Sequence, residues 1–336
     1  MDKFRSALKT ILSKLPVFIF CVLFIKGHDY LFGEENSIMA VTLLIGIFVL
    51  LANDLGFKTR QAAASIPFLY LIIAFAPKLA SINPYSGIVI NFVSIAIILI
   101  ISGYKPDTPA YVPFMMGYIF SQGYDVSGET FKLKVISLVC GGVLIALMYL
   151  LVHKKDEQCQ GFAALFRSLD LHSKQTQWFL RLAVTLTLVM FLGDLFDVPR
   201  TMWISLAVLS LTTPEQAEHY SRAKVRIPAA ILGTAIFYIL FVKLVPADYQ
   251  AYIIMAAGFA SMFMSNYFIK SIYNSFSAMG AALLLFTAEE AIFIRVAGNI
   301  IGTVVALISY KLFSIAFGKF TREGALEDCE SALDSM

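Results

Sequence analysis

Two arginines stand at the same distance from a Gly-Thr pair, and this repeated pattern is the clearest chemical signal in the sequence. The pattern Arg-x6-Gly-Thr occurs as Arg226 with Gly233 and Thr234, and again as Arg295 with Gly302 and Thr303. In an α-helix this spacing is close to two turns, so the arginine and the glycine share one face. Glycine lets a neighbouring helix pack closely there. A guanidinium on such a face could pair with a carboxylate, or could instead extend to the membrane interface.

Aromatic residues near these arginines could hold the ring of a ligand. Trp203, Tyr273 and Phe276 are the candidates, although in a chain with 14% aromatic residues such side chains commonly face lipid or fill the core. Acidic residues that could carry a coupled proton are Asp54 and the pair 289–290, but solvated helix ends are the more typical position for them. The predicted substrate-binding residues are Arg226, Arg295, Trp203, Gly233, Thr234, Gly302 and Thr303.

The composition indicates that the elements positioning these residues are buried in a lipid bilayer. Of 336 residues, 59% are hydrophobic and 15% are charged, and the mean hydropathy is +0.77. A soluble domain carries about 25% charged residues. The net charge of +3 is too small to predict nucleic-acid binding. The four cysteines and four histidines show no metal-ligand spacing, and no phosphate-binding loop or nucleophile–base pair is visible. We therefore expect no metal, no cofactor and no enzymatic activity.

Apolar runs predict an all-α integral membrane protein with about twelve transmembrane helices. The predicted spans are 15–32, 38–53, 61–77, 86–103, 110–121, 133–152, 177–193, 199–213, 226–245, 250–267, 272–288 and 292–314. With the N-terminus in the cytoplasm, Lys and Arg concentrate in the loops that would be cytoplasmic. Because the number of spans is even, both termini are expected there. Spans 110–121 and 199–213 are short and flanked by proline, which favours either broken helices around a midplane site or ordinary tilted helices.

Internal similarity predicts two parallel six-helix halves. Arg60 and Arg226, Lys134 and Arg295, and the Met-Gly pairs at 116–117 and 279–280 recur at an offset of about 163 residues. The predicted division is a first half at 1–152, a cytoplasmic linker at 153–176, a second half at 177–314 and a cytoplasmic tail at 315–336. The third and sixth helices of each half share a pattern, which favours two inverted three-helix units in each half. Such nested repeats are common in secondary transporters.

The segment from Val198 to Trp203, followed by Pro214, then Arg226-Ile227-Pro228 and Gly233-Thr234, resembles the fusaric acid resistance family, also called the aromatic acid exporter superfamily. The closing stretch 295–303 fits the same pattern. The resemblance covers about 198–314 well and 30–152 faintly. It implies a bacterial inner-membrane exporter of aromatic carboxylic acids. The sequence departs from the family in lacking a large cytoplasmic domain and the second glycine of Gly-Thr-x-x-Gly at 235–237.

These observations favour a multi-pass secondary transporter in the bacterial cytoplasmic membrane. It would export organic, in particular aromatic, carboxylate anions, driven by the membrane potential or a proton gradient. Its partners would be the small organic anion and the lipid bilayer, with no nucleic acid, and a homo-oligomer is left open. Two alternatives are an anion channel and a membrane scaffold or accessory subunit that transports nothing.

Overall fold

The computed structural model describes residues 2–154, 160–213, 216–246, 266–282 and 288–334, with single positions at 249, 253, 256, 257, 259, 260 and 264. Helices dominate these residues, and no strand occurs among them. The helices are α1 (Asp2–Phe32), α2 (Ser37–Ala52), α3 (Thr59–Ala80), α4 (Pro84–Ser102), α5 (Val112–Gly123), α6 (Gly128–Val152), α7 (Phe162–Arg167), α8 (Lys174–Leu195), α9 (Met202–Leu211), α10 (Gln216–Tyr238), α11 (Tyr267–Ala282) and α12 (Ala288–Asp334). A π-helical stretch, Ile239–Leu244, extends α10.

Within the described part of the chain, seven helical segments are long and apolar enough to cross a membrane. They are Ser13–Phe32, Glu34–Ala52, Thr59–Ala80, Pro84–Ser102, Gly128–Val152, Lys174–Leu195 and Ile292–Phe317. Each coincides with one of the twelve predicted spans. Four of the other five predicted spans overlap the short helices α5 and α9, the helix α10, whose first turns are polar, and the helix α11. The fifth, 250–267, lies almost entirely outside the described residues. The backbone of α12 also continues through the segment predicted as a tail.

Local sequence explains where several of these helices begin. At the start of α4, Asn83 Oδ1 accepts a hydrogen bond from the Tyr85 amide at 2.8 Å, and Pro84 occupies the first helical turn. At the start of α8, Ser173 Oγ accepts from the Thr176 amide at 3.1 Å. Such caps satisfy amides that have no partner within the helix.

The helices α5 and α9 are too short to span a bilayer on their own. They contain 12 and 10 residues, which is about 18 Å and 15 Å of helix against a hydrocarbon core of about 30 Å. Their C-terminal ends are buried in the protein, as the low exposure of Ser121, Thr212 and Thr213 shows, and carbonyl groups without partners would be costly there.

A buried cation from a neighbouring helix meets the C-terminal end of each short helix. Lys134 of α6 donates from Nζ to the carbonyl of Ser121 at 3.0 Å in the last turn of α5. Arg181 of α8 donates from Nη2 to the carbonyl of Thr213 at 3.0 Å, just beyond the end of α9. A positive charge at this end of a helix also complements the helix dipole.

The contacts between α5 and α9 show that the two short helices run antiparallel. At one end, Arg200 Nη1 donates to the carbonyl of Gly123 at 3.0 Å. At the other end, the Tyr111 ring lies 5.0 Å from the Trp178 ring, and Trp178 Nε1 donates to the carbonyl of Thr212 at 2.9 Å. The beginning of α5 thus lies beside the end of α9.

The glycines of the two Arg-x6-Gly-Thr patterns mark close helix crossings. A Cβ added at Gly302 of α12 would lie 2.7 Å from the carbonyl oxygen of Ile204 in α9. One added at Gly233 of α10 would lie 2.6 Å from the carbonyl oxygen of Ile272 in α11. Only glycine permits helix backbones to approach this closely. These crossings fix the helices that carry the arginines.

Candidate functional site

A cavity of about 460 Å³ lies among five helices, and residues spaced by about one helical turn line it. The walls that follow this spacing are Val112, Met116 and Phe120 of α5, Arg222 and Arg226 of α10, Tyr267, Ser271 and Ser275 of α11, and Arg295 and Asn299 of α12. The helix α9 contributes Trp203, Leu206, Leu209 and Ser210, and Tyr111 precedes α5. Both short helices are therefore walls of the same cavity.

Three guanidinium groups line this cavity, and they make it strongly electropositive. They belong to Arg222, Arg226 and Arg295, and no carboxylate is among the described lining residues. The Nε atoms of Arg226 and Arg295 and the hydroxyl of Tyr267 are buried without a hydrogen-bond partner in the described part of the chain. Buried donors without acceptors are costly. An anion in the cavity would supply the missing acceptors and neutralise the repulsion between the arginines.

Arg295 is held by the indole of Trp203. Its guanidinium carbon lies 4.3 Å from the ring centroid, a cation–π geometry, and both side chains are less than a tenth exposed. The close contact is possible because Gly298 lies on the same face of α12, where an added Cβ would lie 3.1 Å from the Trp203 Cβ. The side-chain amide of Asn299 donates to the Arg295 carbonyl at 2.8 Å.

The opposite wall pairs another cation with an aromatic ring. The Arg222 guanidinium carbon lies 5.5 Å from the centroid of the Tyr267 ring. Ser271 and Ser275 follow Tyr267 along α11 at one-turn intervals and place two hydroxyl groups at the cavity. The cavity thus combines guanidinium and hydroxyl donors with aromatic surface, which is the set of groups that would recognise an acid carrying an apolar body. Among the described residues, no cluster of His, Cys, Asp or Glu could hold a metal ion.

Residues 188–309 match the family model described as fusaric acid resistance protein-like. This segment is fusaric acid resistance protein-like. The match confirms the resemblance read from the motif, over a stretch that includes all three cavity arginines and Trp203. Comparisons with curated proteins and with solved structures gave no match. The apolar helices and the family match together describe a multi-pass membrane protein.

The fusaric acid resistance protein-like segment supplies four of the five cavity walls, namely those from α9 to α12. The fifth wall, α5, lies outside it, with Val112, Met116 and Phe120 facing the cavity. The cavity therefore joins the matched segment to the first part of the chain. The match to residues 188–309 alone does not account for all the groups that a ligand would touch.

The structure brings three of the predicted site residues together and leaves the others outside the cavity lining. Trp203, Arg226 and Arg295 all line the cavity. Gly233 and Gly302 pack against α11 and α9 instead. The hydroxyl of Thr303 donates to the Asn299 carbonyl at 2.7 Å within its own helix.

The remaining predicted residues also lie outside the described cavity lining. Thr234 is buried, and its hydroxyl has no partner among the described residues. Phe276 is buried with its ring 5.7 Å from that of Phe237, so it belongs to the packing between α10 and α11. Tyr273 is half-buried on α11. The aromatic surface at the cavity comes from other positions.

Five polar or aromatic residues of the cavity were not predicted from the sequence, namely Arg222, Tyr267, Ser271, Ser275 and Asn299. A signal was present for two of them, because Arg222 precedes Arg226 by one turn and Asn299 follows Arg295 by one turn. A spacing of seven residues connects each predicted arginine to a glycine that packs against another helix. A spacing of four residues connects each of them to a polar residue that lines the cavity. The predicted site was based on the spacing of seven residues.

Proposed function

We propose that this protein is a secondary transporter that exports organic carboxylate anions, aromatic ones in particular, across the bacterial cytoplasmic membrane. The observation that carries the proposal is the cavity lined by Arg222, Arg226 and Arg295, where the Nε atoms of Arg226 and Arg295 have no hydrogen-bond partner among the described residues. The match to a fusaric acid resistance protein-like model favours efflux. The ring surface of Tyr267, Trp203 and Phe120 would accept the apolar body of the anion.

The energetics of an anion favour outward movement. The inside-negative membrane potential drives each negative charge outward by about 2.3 kcal/mol per 100 mV. Inside the cavity, a carboxylate would replace part of its lost hydration with charge-assisted hydrogen bonds, each worth about 1.5–3 kcal/mol. Binding of this size is strong enough to select an anion and weak enough to release it. A coupled proton would add to the drive but is not required.

We further infer twelve spans in two six-helix halves, with both termini in the cytoplasm. Support comes from four packing pairs in the first half, α1–α2, α1–α6, α2–α6 and α3–α6. The pairs at the corresponding places in the second half are α8–α9, α8–α12, α9–α12 and α10–α12. Shared packing at the repeat offset is what an internal duplication would produce, and such repeats allow alternate access to one central site.

The test is flux of radiolabelled benzoate into and out of proteoliposomes under an imposed potential, with hexanoate as an aliphatic comparison. Arg226→Ala and Arg295→Ala should each reduce benzoate flux about tenfold or more, because each removes a charge-assisted hydrogen bond. Lys132→Ala is the matched control, since it removes an exposed cation that is not among the described cavity-lining residues. It should leave flux unchanged.

The two alternatives give different results in the same preparation. An anion channel would show large single-channel currents and no saturation of flux with benzoate concentration. A scaffold or accessory subunit would show no protein-dependent flux, and the arginine variants would retain any cellular phenotype. Saturable flux that depends on both arginines is the expected result, and equal flux in the parent and in both arginine variants would overturn the proposal.

A further inference from the structure

A second cavity lies one helical turn beyond the arginine-lined cavity. Its volume is about 860 Å³, and it is lined by the α1–α2 connection, the α5–α6 connection and Arg200. Along α5, Phe120 lines the first cavity, and Gly123 and Tyr124 line the second. Along the chain entering α9, Trp203 lines the first cavity and Arg200 lines the second. The two cavities thus share a boundary where the end of α5 meets the beginning of α9.

Met202 fills that boundary. Its side chain is buried and contacts Gly123 so closely that a Cβ added at the glycine would lie 2.7 Å from the Met202 Cβ. Methionine is unbranched and has several rotatable bonds, so its side chain can fill the gap between α5 and α9 in one rotamer and vacate it in another. The close contact depends on the absence of a side chain at Gly123.

Arg200, which lines the second cavity, contacts the C-terminal end of α5. Its Nη1 donates to the Gly123 carbonyl at 3.0 Å, and its guanidinium carbon lies 5.1 Å from the centroid of the Tyr124 ring. Burial raises the pKa of the Tyr124 phenol, with the Arg200 charge opposing part of the shift, so the ring is neutral at physiological pH. Arg200 has a φ of 56°, in the left-handed region that non-glycine residues seldom adopt. Contacts with α5 therefore hold a backbone conformation that would otherwise be unfavourable.

We infer that the two cavities are successive compartments of one path, and that Met202, Gly123, Arg200 and Tyr124 form a closed gate between them. The inference rests on the proposed transport function. The positive-inside arrangement of the loops places the second cavity on the external side. An anion would bind at the arginines, and parting of α5 from the start of α9 would release it outward. The carboxylates of Glu34, Glu35 and Asp125 in the second cavity would keep the anion from accumulating there.

Thiol accessibility tests the gate without requiring a known substrate. In full-length protein with its four cysteines replaced by serine, Leu206→Cys places a reporter thiol in the arginine-lined cavity. The probe is the impermeant anion 2-sulfonatoethyl methanethiosulfonate, added outside intact cells and, separately, to inverted vesicles. Adding Met202→Ala should raise the external reaction rate roughly tenfold or more, because the gap is no longer filled. The control variant Lys132→Ala, which removes an exposed side chain that lines neither cavity, should leave the reaction rate of the reporter thiol unchanged.

A reversible cross-link covers the case in which a variant is misfolded. Tyr124→Cys with Arg200→Cys, joined by a short bifunctional methanethiosulfonate, should reduce benzoate flux about tenfold, and dithiothreitol should restore it. Recovery shows that the protein was folded throughout. If the reporter reacts equally fast with and without Met202→Ala, and the cross-link leaves flux intact, the gate is wrong even when benzoate is transported. If Met202→Ala opens the reporter to the outside and no benzoate flux exists, the gate stands and the proposed transport of aromatic carboxylates fails.

Discussion

Replacement of Gly302 by alanine tests how the arginine-bearing helix α12 is held against α9. The added Cβ would lie 2.5 Å from the Ala207 Cβ and 2.7 Å from the Ile204 carbonyl oxygen. A backbone oxygen cannot rotate away as a side chain can, so the two helices must separate. Overpacking of this kind costs about 1–3 kcal/mol, whereas alanine is preferred to glycine in a helix by about 1 kcal/mol. The net loss should therefore be about 0–2 kcal/mol.

Gly27 of α1 provides the matched control. It is exposed on its helix, and an added Cβ would meet nothing within 4 Å. Gly27→Ala should therefore show only the helix preference, a gain of up to about 1 kcal/mol. The two variants should differ in the free energy of unfolding by about 1–3 kcal/mol, measured by reversible unfolding in mixed detergent micelles. Equal changes in both variants would refute the close α9–α12 crossing and, with it, the placement of Arg295 beside Trp203.

Three further predictions concern the buried cations and the cavity. Lys134→Met should lower the free energy of unfolding by about 1–3 kcal/mol, because it leaves carbonyls at the end of α5 without a donor. Its control is Lys78→Met, which breaks an exposed ion pair. This control should lower the free energy of unfolding by about 0–1 kcal/mol in the same micelle assay. Trp203→Ala should weaken benzoate binding about two- to thirtyfold, since the cation–π contact that holds Arg295 is worth about 0.5–2 kcal/mol. Trp203→Phe should weaken benzoate binding less. The benzoate concentration that gives half-maximal flux measures both effects. Benzoate at a hundred times its dissociation constant should stabilise the parent by about 2.7 kcal/mol, whereas neutral benzamide should not. At the same benzoate concentration, a tenfold weaker site in Arg295→Gln would lower the stabilisation to about 1.4 kcal/mol. Equal stabilisation by both compounds would contradict an anion site.

Hydropathy predicted the long helices correctly because a helix that crosses the bilayer needs predominantly apolar residues along its whole length. Seven predicted spans coincide with helices long and apolar enough to cross a membrane. The short spans 110–121 and 199–213 were recognised as unusual for their length and flanking prolines, and both became cavity walls. Their shortness could be read locally, since Pro109, Pro113 and Pro199 restrict the backbone where these segments begin.

What holds the short helices could not be read from the sequence. The partner of the α5 terminus is Lys134, and that of the α9 end is Arg181, which lies 32 residues before the carbonyl it contacts. Both are tertiary contacts, and no local pattern specifies which helix faces which. The same limit applied to Arg295 and Arg226, which were both predicted to bind substrate, because the sequence did not show which helices would place them in one cavity. Only the packing of α9, α10 and α12 brings the two together.

The cations on these helices therefore serve two distinct purposes in this protein, and their positions relative to the cavity tell them apart. Lys134 and Arg181 each donate to a backbone carbonyl at the end of a short helix, so their charge is used within the fold. Arg226 and Arg295 instead line the cavity. The Nε of Arg181 lacks a partner among the described residues, as do the Nε atoms of Arg226 and Arg295, but Arg181 is not among the described cavity-lining residues. A cation within a membrane protein is costly and commonly marks a functional position. The first pair therefore positions the walls, and the second pair lies where the anion that we propose could reach it.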